Sequence, residues 1–155
     1  MKTIEITDIK KFTNELFAGS TFDRFLVTEA SFSTLFTTTI DGHINGDFLA
    51  EGQDGSDGRP AEWKSVKPVC YAVLRGNRVP LKFRVVLMAP EEQNSIFIKN
   101  SGISFPPENI NGLYINIRFE NNRLFCVTGT SLKTFSLDRS VEEAWDKRVT
   151  SFLTR

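Results

Sequence analysis

Hydrophobic and polar residues alternate most cleanly in the last third of the chain. Leu113, Ile115, Ile117 and Phe119 are interleaved with Tyr114, Asn116, Arg118 and Glu120, the period-two pattern of a strand with one buried face. Asn121-Asn122 then offers two residues that tolerate positive φ, so a two-residue hairpin turn is expected, with residues 123–128 as the return strand. Gly129-Thr130 predicts a second reversal and residues 132–137 a third strand. From there the period changes. Val141, Trp145, Val149 and Phe152 recur at helical spacing, widened by Ala144 and Leu153, while Glu142, Glu143, Asp146, Lys147 and Thr150 fall on the other side. Asp138 or Ser140 is the expected cap, and Ser140 with Glu143 has capping-box spacing. A helix with such a stripe must lie on a sheet or on another helix.

The same reading applied from the start gives a short strand around Ile4 and Ile6. A helix follows, capped by Thr7 or Asp8, in which Ile9, Phe12, Leu16 and Phe17 share a face and Gly19-Ser20 ends it. Residues 25–40, rich in Thr, Phe and Val, predict a long strand with Phe32, Phe36 and Ile40 on one side. Asp41-Gly42 predicts a type I′ hairpin with residues 43–49 as its partner strand. That pairing would bury Asp47 on the Phe32 face, so a bulge at Gly46 is expected to bring Phe48 there instead. Residues 50–62, Gly- and Asp-rich, form an exposed loop. Trp63, Val66, Cys70, Val73 and Leu74 predict a helix starting near Ser65, with Pro68 in its first turn and its end before Gly76-Asn77. Residues 81–88 alternate as a strand. Residues 91–99 carry signals of both kinds and lean to a short helix, because Pro90-Glu91-Glu92 resembles a helix opening. The sum is an α+β fold, residues 1–155 as a single domain, with a mostly antiparallel twisted sheet of about six strands and two to four helices packed on it, the amphipathic C-terminal helix among them.

Composition adds bounds. The chain of 155 residues carries 14 phenylalanines, ample core material without a disulfide or metal staple. Its net charge is zero, so the molecule as a whole has no electrostatic pull toward nucleic acid or membrane. No apolar run is long enough to span a bilayer and the N-terminus lacks a signal-peptide core, so a cytoplasmic location without membrane association is expected. Cys70 and Cys126 both fall inside apolar periodic segments and read as buried thiols of a reducing compartment.

Candidate chemistry is sparse. His43 is the single histidine; Asp41 and Asp47 lie near it in sequence, and a solvated turn residue is favoured over a carboxylate-oriented general base. No nucleophile elbow, Cys-x-x-Cys, His-Glu-x-x-His or Walker loop occurs. The loop Asp54-Gly55-Ser56-Asp57-Gly58 has clustered oxygens, but an EF-hand register puts Gln53 and Lys64 at ligand positions, so no metal is expected. Gly129-Thr130-Ser131 with Lys133 offers a small anion nest, and a plain turn is favoured over it. One asymmetry stands out. Lys64, Lys67, Arg75, Arg78, Lys82 and Arg84 follow one another without an acid, after an acidic stretch from Asp41 to Asp57. If those bases share a face they would contact phosphates; otherwise they solvate a helix and a strand.

Residues 129–138, Gly-Thr-Ser-Leu-Lys-Thr-Phe-Ser-Leu-Asp, followed by Trp145-Asp146, together with Ile40-Asp41-Gly42-His43-Ile44-Asn45, residues 63–80 and Pro80-Leu81-Lys82-Phe83, resemble an uncharacterised domain-of-unknown-function family. That family comprises small cytosolic proteins of clostridial and related Gram-positive bacteria, and the resemblance runs over most of the chain. It implies one bacterial cytoplasmic domain and carries no activity, cofactor or catalytic residue. The functional expectation is a non-enzymatic binding domain for a small molecule or a protein partner, with no cofactor. The alternative is a nucleic-acid-associated protein that uses the basic segment 64–84. Lys64, Lys67, Arg75, Arg78, Lys82, Arg84 and His43 are the candidate ligand-binding residues, and an enzyme with a site near His43 is the weakest reading.

Overall fold

A computed structural model describes residues 1–154 other than 54, 56 and 77. Its strands are β1 (Thr3–Ile6), β2 (Leu26–Ser33), β3 (Thr37–Asp41), β4 (Ala61–Glu62), β5 (Lys82–Met88), β6 (Ile110–Glu120) and β7 (Arg123–Leu132). Its helices are α1 (Ile9–Phe17), α2 (Trp63–Leu74), α3 (Gln93–Ser101) and α4 (Ser140–Leu153). The strands make one sheet in the order β1-β7-β6-β5-β2-β3, with β4 added against β2, and every pair is antiparallel.

Alternation along each strand sorts the side chains into rows that cross the sheet. Phe32, Phe83, Phe119, Leu124 and Ile6 form one inward row, and Ala30, Val85, Ile117, Cys126 and Ile4 the next. In the first row Phe83 stacks on Phe119 at 5.3 Å between ring centroids and on Phe32 at 6.2 Å, while Phe17 of α1 meets Phe32 and Phe83 edge-on. Val27 belongs to a third row with Leu87 and Ile115. A bulge between Val27 and Glu29 lets Val27 and Ala30, three positions apart, face the same way.

The helices gather on this apolar face. α1 is capped by Asp8, whose side chain accepts from the Lys11 N–H. Trp63, at the start of α2, is fully buried against Phe17 and donates its indole N–H to the Leu16 carbonyl at 2.8 Å. α4 lies on β6 and β7: its Trp145 donates to the Tyr114 carbonyl at 2.9 Å and meets Phe97 of α3 edge-on. Asp146 takes a hydrogen bond from the buried Thr128 hydroxyl of β7. Phe152, near the end of α4, packs on Phe22 and Phe25. The amphipathic C-terminal helix therefore docks as its stripe predicts. At its entry the cap position falls on Arg139, which supplies no side-chain cap; Asp138, one residue before it, accepts from the Ser140 N–H at 2.9 Å, and hydrogen bonds from Ser140 hold its carboxyl below the usual range.

Several local expectations fail, each for a physical reason. Asn121 and Asn122 do adopt positive φ, 55° and 59°, and close the β6–β7 hairpin. Asp41-Gly42 does not form a turn; neither residue has positive φ. The reversal comes earlier, at residues 34–36, leaving Leu35 and Phe36 exposed. Gly42 is needed for close approach instead: a Cβ there would lie 1.9 Å from the Val27 carbonyl oxygen. Residues 43–49 make no partner strand. His43 forms a single bridge to Pro60, and Gly46–Phe48 is one turn of 3-10 helix with Asp47 and Phe48 in solvent, so the Gly46 bulge does not occur.

Within the loop 50–62, Gly55 and Pro60 are buried and β4 pairs with β2; residues 54 and 56 lie outside the described residues. α2 begins two residues earlier than expected, which places Pro68 in its second turn. The Lys64 carbonyl there loses its helical donor, at a residue the fold leaves exposed. The helix ends at Leu74, and residue 77 of the expected terminator lies outside the described residues. Gly129-Thr130 makes no reversal either, because both residues stay in the ladder opposite Tyr114 and Leu113. Residues 133–137 are irregular, with Phe135 and Leu137 exposed. The ambiguous segment at 91–99 is helical and ends on Gly102, with φ of 69°.

Two outcomes follow. Gly42→Ala should lower stability by at least about 2 kcal/mol, since the added methyl drives β3 off the β2 backbone; an unchanged denaturation midpoint would contradict this packing. Burial pushes the thiols of Cys70 and Cys126 up to about 12. Both should therefore resist a thiol reagent at neutral pH until denaturant is added, and rapid labelling of the native protein would contradict their burial.

Candidate functional site

The bases that are consecutive in sequence are not neighbours in space. Lys64 is exposed in the first turn of α2. Lys67, one turn on, is spent on structure: its ammonium donates to the Gly19 carbonyl at 2.6 Å and to Asp23 at 2.5 Å, tying α2 to the segment after α1. Arg75 and Arg78 are exposed in the connection from α2 to β5. Lys82 and Arg84 alternate with the buried Phe83 and Val85, so they project from the opposite face of the sheet. The basic segment 64–84 is thus divided between the two sides of the molecule and presents no common face.

His43 sits in solvent with its Nδ1 2.6 Å from Asp41. Hydrogen bonds from the His43 backbone N–H, then from its ring, hold the Asp41 carboxyl below the ordinary range. Asp47 is exposed on the 3-10 turn that follows. Among the described residues no group of three or more His, Cys, Asp or Glu side chains converges on a point where a metal could sit. At Gly129-Thr130-Ser131 neither the favoured turn nor the nest forms: the segment is strand backbone in register with β6, so successive amides alternate in direction and do not converge on a point.

A large concavity lies elsewhere. Between α3, α4, the N-terminus of α2 and the ends of β2, β4 and β6 runs an open groove of about 1550 Å³. Its depth is apolar: Leu113 and Ile115 of β6 with Trp145 and Val149 of α4. Its walls are apolar side chains that the fold leaves partly uncovered, namely Ile96, Ile103, Phe25, Leu26 and Phe152. Ile96 is 49% exposed on α3. The stripe that docks α4 creates one wall, because turning Trp145 and Val149 to the sheet rotates Ala144, Lys147, Arg148 and Ser151 toward the groove.

Around the rim stand Arg24, Arg59, Lys64, Lys147 and Arg148. None of these side chains is in an ion pair among the described residues. The rim acids are Asp23, already held by Lys67, and Glu62, Glu92 and Glu143. Of the candidate ligand-binding residues read from the sequence, only Lys64 lines the groove; His43, Lys67, Arg75, Arg78, Lys82 and Arg84 do not. Arg24, Arg59, Ile96 and Arg148 carry no local motif, and their convergence depends on contacts between distant segments. No described helix is long and apolar enough to cross a membrane.

Comparison with curated proteins and with solved structures gave no match. A family model does match, over residues 15–155, which leaves out only β1 and the first part of α1. That span includes α2, α3, α4 and every segment lining the groove. The chain belongs to the family of unknown function DUF5721.

Proposed function

We propose that this protein is a non-enzymatic binding domain whose ligand is a long amphipathic anion, held in the groove between α3 and α4. The observation that carries the reading is the combination of uncovered apolar walls with a rim of unpaired bases. Each methylene taken out of water contributes ~0.8 kcal/mol. A ten-carbon chain would gain roughly 8 kcal/mol gross, against an association cost on the order of 4–15 kcal/mol. The apolar body alone is therefore marginal, and the charged head must contribute, which is the part the rim supplies. The groove exceeds the ~300–1,000 Å³ of ordinary drug-sized pockets, which favours an extended ligand over a compact metabolite. The Asp41–His43 pair lies outside the groove lining, so the reading assigns it no chemistry. Two buried thiols support a reducing, cytoplasmic setting for this binding.

A fluorescent long-chain fatty acid should bind the native protein and raise its melting temperature. Ile96→Asp and Arg148→Glu, both at exposed positions, should each weaken that binding about tenfold, equivalent to about 1.4 kcal/mol, without unfolding the domain. Absence of binding by the wild-type protein, or equal binding by Ile96→Asp, would overturn the assignment.

A further inference from the structure

The sheet face turned away from the helices has its own pattern. On β5 and β6 the outward positions pair as Lys82 with Glu120, Arg84 with Arg118, Val86 with Asn116 and Met88 with Tyr114. Opposite residues of an antiparallel pair have Cβ atoms roughly 4.5–5.5 Å apart, and like charges placed so repel each other. Arg118 makes no hydrogen bond or ion pair among the described residues. Arg84 donates to Asn116 at 3.3 Å and has one carboxylate, Glu29, at 3.9 Å. The other acids of this face are engaged or displaced: Glu5 receives both arms of Arg123 at 3.0 Å, Glu120 stands opposite Lys82, and Asp41 is on the far edge strand with His43. Two arginines on directly opposite residues with one loose counter-charge can clamp a phosphate, which each guanidinium can meet in bidentate fashion.

Four residues along β6 from Arg118, Tyr114 lies flat on the sheet. A Cβ on Gly112 would fall 2.5–2.6 Å from its ring, so the ring fills the space of the missing side chain. Alternation with the buried Leu113 and Ile115 puts Tyr114 on the face turned away from the helices, where it is half-buried. Beyond it, at the end of the sheet where α3 begins, Met88, Glu91, Asn94, Gly112 and Lys133 border a recess of about 150 Å³, which lies outside the proposed site. Asn94 is 5% exposed, and its side-chain oxygen accepts no hydrogen bond.

We propose that this face binds single-stranded nucleic acid, with a phosphate between Arg84 and Arg118 and a base stacked on Tyr114. The clamp and the aromatic platform are separated by about 13 Å, four residues at ~3.3 Å each. That is too long for one nucleotide to bridge, so the occupant is a run of nucleotides and not a free mononucleotide. A duplex is excluded, because its bases stay stacked on one another and cannot lie on a protein ring. This site is on the opposite side of the sheet from the groove and stands or falls independently of it.

The test is fluorescence anisotropy at low salt with a fluorescein-labelled single-stranded RNA of mixed sequence, the same RNA as a duplex, and heparin as competitor. The wild-type protein should bind the single strand at least tenfold more tightly than the duplex. Arg84→Gln and Arg118→Gln should each weaken binding about tenfold and reduce the salt slope by about 0.7. Tyr114→Leu should weaken it fivefold or more with the slope unchanged. Arg118→Gln should leave the melting temperature unchanged or raise it, since it removes a like-charge pair, and Ile96→Asp in the groove should bind RNA as the wild type does. No binding by the wild-type protein would overturn the proposal. So would equal affinity for single strand, duplex and heparin with Tyr114→Leu unaffected, which would reduce the site to nonspecific charge.

Discussion

Trp145 is the contact on which the helical side of the molecule depends. Its indole is 5% exposed and spends its one donor on the Tyr114 carbonyl of β6. An indole N–H buried without that acceptor would cost about 1–3 kcal/mol, so the hydrogen bond sets the height and rotation of α4 as well as holding it. Phe97 meets the same ring edge-on, which places α3 beside α4. The groove is the space these two helices leave between themselves and the segment that carries Phe25 and Leu26. Tyr114 thus anchors α4 through its backbone while its own ring lies on the opposite face of the sheet.

The second constraint is one-sidedness. Rows of Phe, Ile, Val and Leu cross the inner face of the sheet, and all four helices pack there, so the outer face must be polar to stay in water. Most of it obeys, with Ser31, Thr39, Asn116 and the Glu5–Arg123 pair. Local rules are broken at several places, exposed Leu35, Phe36, Phe48, Phe135 and Leu137 among them, and two of these places are clefts or faces able to take a ligand. Apolar side chains are left uncovered around Ile96, and two arginines face each other with little counter-charge. Folded proteins tolerate such violations mainly where binding compensates them, and this is why the two proposed sites fall there.

How much of this is legible in the sequence depends on how local each signal is. The β6–β7 hairpin, α1, β5 and α4 are written as periodic patterns with their own punctuation, Asn121-Asn122 and Asp8 included, and all four form where expected. Asp41-Gly42 misleads because glycine has two uses. Here it admits the Val27 backbone, while the real reversal at residues 34–36 carries Leu35 and Phe36, with no glycine, proline or asparagine to mark it. Gly129 misleads in the same way, as a strand residue facing Tyr114. The run of bases from Lys64 to Arg84 looks like one patch only because a helix on one side of the sheet is joined by a short connection to a strand whose Lys82 and Arg84 point to the other side. The groove could not be read at all, since its rim draws Arg24, Arg59, Lys64, Lys147 and Arg148 from four separate segments.

The most direct test of the account is native-state hydrogen exchange at the Trp145 indole N–H, followed by NMR. If α4 is fastened to β6 through this group, its proton should exchange orders of magnitude more slowly than that of free tryptophan, and its protection should match that of the amides in the β6–β7 ladder. Exchange at the rate of an exposed indole, with those amides still protected, would show that α4 does not sit on the sheet and would contradict the fold as described.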